Sequence, residues 1–393
     1  MHKIIPLLSL LFFTSIDLHA LVFSLEQPHN LTKTVAANIS TNNADLCAVA
    51  KNSRVYLEQF SDDTFAVHSG KVFEPEVNVT LARVKKTLDF ICKTYQEDKL
   101  MQKNASTNLE QTANNHQTLN RLNQRDFLLK HFDFIRWYPD KNNADKIADK
   151  SDNQVKSRLL NNIPEQKIFL TKYYTKLLNG SPVKTDQFTQ ALYALPFDEQ
   201  QFTLEEAENK KSQLTRFKYT RQQVIAGELL NKKVATPLVW LTEDALHDVL
   251  LQGTGVLIVE GKTRFFNVHR NNGIAYDYSL GKKQQARYWY FIETPGIMGY
   301  GKDQASKIAI TPQVTLAGNV AQLGLGKLLM LSYPFKNETV SRMAILADQG
   351  GAFDNNLFQL DLLVDSYRGW DDYHQANKNL PDYAYAWFML LKE

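Results

Sequence analysis

The stretch AILADQGGAFDNNLFQLD, residues 344–361, joins an apolar run typical of a buried strand to a carboxylate and two glycines. Asp348 stands where the apolar run ends, and Asp361 lies between Leu360 and Leu362. A carboxylate with apolar neighbours is disfavoured in its charged form, because burial removes the water that stabilises the charge. We therefore expect a raised pKa for Asp361, which would make it a usable proton donor near neutral pH.

The glycine pair of this stretch favours a functional interpretation. Gly350 and Gly351 allow a ligand or another strand to approach the backbone closely, and two acids in one segment suit glycoside cleavage. The alternative is that Asp354, Asp361 and Asp365 are turn or solvent-facing residues. The pattern alone leaves both interpretations open.

Length and composition restrict the class of protein. The chain has 393 residues, 44% of them hydrophobic and 22% charged, with a formal net charge of +3. This length exceeds what one hydrophobic core usually serves, so two domains are expected. The basic residues form no block or stripe, which argues against nucleic acid as a partner.

The N-terminus predicts export. Residues 1–20 have an early lysine, an apolar run and a small residue at Ala20, as secretory signals do. We expect a periplasmic or exported protein that an uncleaved leader would anchor in the membrane. No cysteine stands next to the cleavage region, so no lipoprotein attachment is expected. Cys47 and Cys92 form either one disulfide or two buried free thiols.

Helices are predicted mainly in the N-terminal part. Apolar residues recur at three- and four-residue steps over residues 80–95, which predicts a helix with Thr80 as its cap. Residues 102–124 are polar and predict an exposed, partly mobile segment. A helix is predicted over residues 126–132, and the charged, Asn-rich residues 139–157 are predicted as a loop.

Strands dominate the remainder. Short runs rich in aromatic and β-branched residues predict strands at residues 168–175, 187–195, 287–292, 328–332 and 342–346. Two short helices are predicted at residues 221–230 and 244–251, and a hairpin at residues 256–268. The fold class is therefore mainly β with N-terminal helices, an α+β protein built on barrels.

Two further segments carry candidate binding groups. The sequence Gln252-Gly-Thr-Gly follows a predicted helix and indicates a tight polar turn with one amide side chain available to a ligand. Tyr174 and Thr175 belong to an aromatic segment that could stack on sugar rings, although core packing is the commoner role of such residues. The histidines lie far apart, so neither a metal nor another cofactor is expected.

Several motifs in order resemble one family. In chain order, the motifs are Phe169-Leu-Thr-Lys-Tyr-Tyr-Thr, Thr220-Arg-Gln-Gln-Val-Ile-Ala-Gly-Glu-Leu-Leu, Val249-Leu-Leu-Gln-Gly-Thr-Gly, Ile310-Thr-Pro-Gln-Val-Thr-Leu-Ala and Ala347-Asp-Gln-Gly-Gly-Ala. This series is similar to that of the membrane-bound lytic transglycosylase A family, glycoside hydrolase family 102, whose C-terminal part is a three-aspartate domain. The resemblance runs from about Leu81 to the C-terminus.

The resemblance implies an architecture. It implies a double-psi β-barrel made from both chain ends, with a second β-barrel inserted between them and a groove across the join. Residues 45–178 and 306–393 would form the first domain and residues 179–305 the insert, after a signal peptide and a linker over residues 21–44.

The resemblance also implies an activity. The family cleaves the β-1,4 bond between N-acetylmuramic acid and N-acetylglucosamine, with formation of a 1,6-anhydro ring. Asp361 would be the catalytic acid and then base, with Asp365 and Asp354 as rivals for that role, and Asp348 would hold the local network. The residues expected to bind substrate are Tyr174, Thr175, Gln252, Gly253, Gly350 and Gly351.

The resemblance implies peptidoglycan glycan strands as the partner. We expect a monomer, which could associate with the outer membrane or with cell-wall complexes. The alternatives are a non-catalytic peptidoglycan-binding protein and a hydrolytic glycosidase of the same barrel type.

Overall fold

The computed structural model describes residues 23–60, 79–107, 120–350, 353 and 355–393, so the predicted signal peptide lies outside the described residues. The α-helices are Pro28–Thr34 (α1), Asn43–Gln59 (α2), Leu81–Thr107 (α3), Arg125–His131 (α4), Lys141–Asp149 (α5), Gln154–Asn161 (α6), Leu204–Asn209 (α7), Arg221–Ile225 (α8), Glu228–Lys232 (α9), Glu243–Gln252 (α10), Val320–Leu323 (α11) and Trp370–Asn377 (α12). Short 3₁₀ helices cover Arg121–Asn123 and Thr215–Phe217.

The described residues form a mixed helix and strand fold with one large sheet, so the α+β class is confirmed, whereas helices are more extensive than the predicted mainly β organisation. The strands are Phe23–Leu25 (β1), Phe132–Trp137 (β2), Ile168–Gly180 (β3), Gln190–Tyr193 (β4), Pro237–Leu241 (β5), Thr254–Val259 (β6), Lys262–Asn271 (β7), Trp289–Thr294 (β8), Ile297–Met298 (β9), Ala309–Ile310 (β10), Thr315–Ala317 (β11), Leu328–Phe335 (β12), Glu338–Asp348 (β13), Gln359–Tyr367 (β14) and Tyr383–Leu391 (β15). Each predicted strand and the predicted hairpin therefore exist, although several differ in length.

One large sheet carries most of the strands. Among the described residues, eleven strands pair in the order β1-β2-β15-β12-β13-β11-β14-β3-β6-β7-β8, and β15 also pairs with β3. That additional pairing closes β15, β12, β13, β11, β14 and β3 into a ring. The ring encloses much of the larger hydrophobic core, because inward-facing side chains alternate with outward-facing ones along each strand.

Strand β3 connects the ring to the region that follows it in sequence. Its first part pairs with β14 and β15, and its last residues, Leu177 to Gly180, pair in parallel with β6. A second hydrophobic core lies in that region, around residues such as Leu192, Leu241 and Phe266. The chain thus forms two cores joined by one continuous strand.

The N-terminal helices pack on the ring. Helix α3 begins after Thr80, whose hydroxyl accepts a hydrogen bond from the Arg83 amide at 3.2 Å, so the predicted cap is confirmed. The helix runs to Thr107, however, well beyond the predicted end at residue 95. Residues 96–107 are rich in Gln, Glu, Lys, Leu and Met, which propagate a helix readily. The predicted exposed segment is thus helical over residues 102–107, with Lys103 and Asn104 exposed as predicted, and residues 108–119 lie outside the described residues.

A disulfide between Cys47 and Cys92 joins α2 to α3. Its Cα atoms are 4.8 Å apart and its sequence separation is 45 residues. Of the two alternatives left by the sequence, the structure has the bonded one. Closing a loop of this length restricts the unfolded chain and contributes roughly 2–4 kcal/mol to stability.

The predicted loop over residues 139–157 was wrong. The segment forms α5 and the start of α6, capped by Asp140 and Asn153 through bonds to the first backbone amides of each helix. The small buried face of Ala144 and Ala148 packs in a satellite cluster with Phe358. The Asn and Asp residues that suggested a loop are partly helix caps, and the apolar face is too narrow to be evident in the sequence.

The predicted helix over residues 221–230 is two helices, α8 and α9. Gly227 separates them with φ of +97°, a left-handed conformation that glycine adopts without strain. No helix within the described ranges is both long and apolar enough to cross a membrane.

Candidate active site

A cleft of about 960 Å³ lies between the ring and the second core. Strands β3, β11, β13 and β14 contribute Tyr173, Ala317, Asp348 and Asp361 to one wall, which we call the ring wall. The opposite wall, which we call the insert wall, comes from the end of α10 and from strands β6 and β7. Its residues are Gln252, Gly253, Thr254, Asn267 and Val268.

The strand register brings the two predicted acids together. Ala317 of β11 is paired with Asp348 of β13 on one side and with Asp361 of β14 on the other. Residues paired across neighbouring strands share a face of the sheet, so both carboxylates face the cleft. Two strand spacings separate their backbones, roughly 10 Å, and the short side chain of Ala317 leaves the space between them open.

Asp348 is the last residue of β13, as the break in the apolar run predicted. Its Oδ2 accepts a hydrogen bond from the Tyr173 hydroxyl at 2.7 Å, and its Oδ1 accepts one from the Gln349 amide at 2.8 Å. Burial raises the pKa of Asp348 to about 6, although these two bonds and the charge of Lys307 oppose the rise. Both oxygens of Asp348 are therefore already engaged.

Asp361 differs from Asp348 in having a free oxygen. Its Oδ1 is buried and has no hydrogen-bond partner among the described residues. Burial raises the pKa of Asp361, opposed by Thr171 and by the charge of Lys172, so the predicted direction is confirmed. A buried carboxyl group with an unbonded oxygen at a cleft is available to exchange a proton with a ligand.

The insert wall carries neutral polar groups. Helix α10 ends at Gln252, and Gly253 has φ of +75°, the left-handed conformation that commonly ends a helix. This is the tight turn that the sequence predicted. The Gln252 side-chain oxygen accepts a hydrogen bond from the Lys176 amide at 2.9 Å, which fixes the amide group against β3.

A chain of hydrogen bonds crosses the bottom of the cleft. Lys307 Nζ donates to Asn267 Oδ1 at 2.7 Å, and Asn267 Nδ2 donates to Thr254 Oγ1 at 3.1 Å. Burial lowers the pKa of Lys307, while the charge of Asp348 opposes that change. Sequence reasoning missed Lys307 and Asn267, because neither stands in a recognisable motif.

The remaining predicted binding residues lie at the cleft, with one outside the described residues. Tyr174, Thr175 and Gly350 line it. The Thr175 hydroxyl forms a 2.6 Å hydrogen bond with the Ser366 hydroxyl, which restricts it to a supporting contact in this structure. Gly351 is outside the described residues.

Asp365 and Asp354 are the two other candidates for the catalytic acid. Asp365 is exposed, accepts a hydrogen bond from the Ser366 amide at 2.8 Å and does not line the cleft. Asp354 is outside the described residues. Within the described residues there is no group of three or more His, Cys, Asp or Glu side chains arranged to hold a metal ion.

The middle part of the chain matches a known domain family. Residues 169–288 match the family model of the MltA specific insert domain. This range begins in β3 and contains the whole insert wall. A comparison with curated protein sequences finds no significant match.

The whole fold is similar to that of solved MltA structures. MltA from Neisseria gonorrhoeae is 14% identical with a TM-score of 0.51, over 88% of each chain. MltA from Escherichia coli with bound chitohexaose is 15% identical with a TM-score of 0.50, over 94% of this chain and 95% of that one. A membrane-bound lytic murein transglycosylase from Agrobacterium tumefaciens is 13% identical with a TM-score of 0.50, over 88% and 92%.

At these identities the likeness concerns the fold. Together with the insert domain, it confirms the resemblance to the membrane-bound lytic transglycosylase A family that the sequence motifs indicated.

Proposed function

We propose that the chain is a peptidoglycan lytic transglycosylase with Asp361 as its single catalytic acid and base. The observation that carries the proposal is the contrast between the two carboxylates of the ring wall. Asp348 has both oxygens engaged, whereas Asp361 presents at the cleft a buried oxygen that no described residue bonds. The insert domain and the fold of glycan-cleaving relatives support the same function.

The first step of the proposed reaction is proton donation. Burial raises the pKa of Asp361, which favours the protonated form that can donate. Asp361 donates this proton to the glycosidic oxygen as the bond to the muramoyl C1 breaks, and the departing N-acetylglucosamine leaves with a free hydroxyl. Positioned proton transfer of this kind contributes typically about 10²–10⁴-fold.

The second step uses a nucleophile that the substrate supplies. The Asp361 carboxylate accepts the proton of the muramoyl C6 hydroxyl, whose oxygen attacks C1 and closes the 1,6-anhydro ring. Because that hydroxyl is tethered to the reacting sugar, its effective concentration is high and no second carboxylate must activate a water molecule. Asp348, held by Tyr173, would orient the site rather than exchange protons.

The polar residues of the insert wall would bind the glycan. Chitohexaose bound to E. coli MltA is an oligomer of N-acetylglucosamine, and we propose that this chain binds the same kind of sugar along its cleft.

We also propose that the six-stranded ring is a double-psi barrel and that the protein acts outside the cytosol, after export directed by residues 1–20.

A hydrolytic glycosidase is the second candidate, because Asp348 lies on the same face as Asp361. A hydrolase would use a second carboxylate to activate water. The Asp348 oxygens already accept bonds from Tyr173 and Gln349, which favours the transglycosylase.

Digestion of purified peptidoglycan tests the proposal. Soluble products of the wild type, Asp361→Asn and Asp365→Asn are compared by mass spectrometry. We expect anhydro-muropeptides from the wild type and from Asp365→Asn, whose exposed carboxylate is a matched control in the same strand, and almost none from Asp361→Asn.

Other outcomes would contradict the proposal. Products heavier by one water, with reducing ends, would indicate the hydrolase. Equal release by Asp361→Asn and the wild type would remove Asp361 from the chemistry. Binding of wall without any release by the wild type would indicate a non-catalytic binding protein.

A further inference from the structure

A row of aromatic rings continues from the cleft to the surface. Tyr174, which lines the cleft, stacks on Tyr373 of α12 with ring centroids 4.6 Å apart and an interplanar angle of 19°. Tyr373 lies 5.4 Å from Trp370, the first residue of that helix. The Tyr373 hydroxyl donates to the Lys172 carbonyl at 3.2 Å, which fixes the ring beside the strand that pairs with Asp361.

The outer ring of this row is open. Trp370 is 65% exposed, whereas Trp137 and Trp387 are fully buried. His374 stacks on it from one side, with centroids 5.9 Å apart at 19°. At Gly369, which precedes it, an added Cβ would meet no atom within 4 Å. Because about two thirds of Trp370 is exposed, a ligand can reach the indole from solvent.

The charge around Trp370 limits what the ligand can be. The carboxylates of Asp365, Asp371 and Asp372 lie in the same segment, and all three residues are exposed. One of them, Asp372, accepts a bond from the Arg368 amide at 3.2 Å. Arg368 is exposed in the same segment, so the carboxylates outnumber the cations by three to one over residues 365–372. This excess disfavours the carboxylates of a peptide stem, while an uncharged sugar ring can stack its apolar face on the indole.

We propose that Trp370 is a sugar-binding platform for an N-acetylglucosamine ring of a long glycan strand. The inference rests on the proposed function and extends it beyond the cleft: Tyr174 and Tyr373 lead from the acid to Trp370, which holds a ring remote from the bond that is cleaved. The platform selects longer strands, since a short oligosaccharide fills the cleft without reaching it.

Binding of chitohexaose and chitotriose tests the platform. Affinities are measured by calorimetry in the Asp361→Asn background, where no cleavage occurs, with and without Trp370→Ala. We expect the alanine variant to lose about tenfold in affinity for chitohexaose, as removal of one aromatic stacking contact would produce, with chitotriose affected less than about twofold. Trp370→Phe should restore most of the chitohexaose affinity, because it restores an aromatic face.

Tyr278→Ala is the matched control. Tyr278 is 93% exposed and lines a separate pocket of about 490 Å³ with Tyr276 and Leu280. Its removal should leave both affinities unchanged. Melting temperatures of all variants check that the fold is retained.

Other binding results would contradict the platform, the proposed function or both. An equal loss for both sugars, or no loss for chitohexaose, would overturn the platform while leaving the proposed function intact. Failure of the Asp361→Asn protein with native Trp370 to bind either sugar would overturn both.

Discussion

The two walls of the cleft differ in the chemistry that they carry. The ring wall holds Asp348 and Asp361, both with pKa values raised by burial. The insert wall holds Gln252, Thr254 and Asn267, which are neutral at every physiological pH. Under the proposed function, the two walls would have separate roles: proton transfer would depend on the ring, and recognition of the glycan would depend on the insert. Three measurements would test this assignment of roles.

The largest effect is expected on the ring wall. Asp361→Asn should lower kcat by roughly 10²–10⁴-fold, because it removes positioned proton transfer, while the dissociation constant for chitohexaose changes by less than about twofold. Turnover of soluble peptidoglycan fragments and calorimetry provide the two measurements. An Asp361→Asn variant that binds chitohexaose poorly but keeps a normal kcat would assign Asp361 to glycan recognition. The ring wall would then not be the site of proton transfer.

The second effect concerns stability and separates Asp348 from the other acids. Its pKa is raised in the folded protein to about 6, from an ordinary value of 3.8. The folded state therefore binds the Asp348 proton more tightly than the unfolded state does. Protonation of Asp348 therefore contributes about 3 kcal/mol to the free energy of unfolding. This stabilisation is fully present below pH 3.8 and is lost as pH rises through 6.

Urea unfolding at pH 4 and pH 7 measures that contribution. The free energy of unfolding should fall more steeply with pH in the wild type than in Asp348→Asn, by roughly 2 kcal/mol over the interval, since part of the full contribution is already lost at pH 4. Asp365→Asn serves as the exposed control and should follow the wild type. Parallel curves for the wild type and Asp348→Asn would mean that Asp348 does not titrate in this range.

The smallest effect is expected on the insert wall. Gln252→Ala should raise KM by about two- to tenfold, the value of one neutral hydrogen bond, with kcat unchanged. The exposed Gln213 supplies a matched alanine control elsewhere in the insert. A fall in kcat at constant KM would instead place part of the chemistry on this wall.

Sequence reasoning performed best where the signal was local. The apolar neighbours of Asp361 were enough to predict its raised pKa, since desolvation depends on what lies directly around a group. The end of β13 at Asp348 and the turn at Gly253 were likewise evident in a few residues. Helices α5 and α6 were missed, because their narrow apolar faces pack in a cluster with Phe169 and Phe358, and Phe358 is distant in the chain.

Local sequence patterns were sufficient to predict most strands, the turn beside the insert wall and the chemical character of the candidate acid. The folded arrangement of the whole chain was needed to establish the closure of the ring through β3 and β15, the row Asp348, Ala317 and Asp361, and the path from Tyr174 through Tyr373 to Trp370. The physical reason is that periodicity and propensity report on neighbours along the chain, whereas strand pairing and ring stacking join residues that are far apart in it.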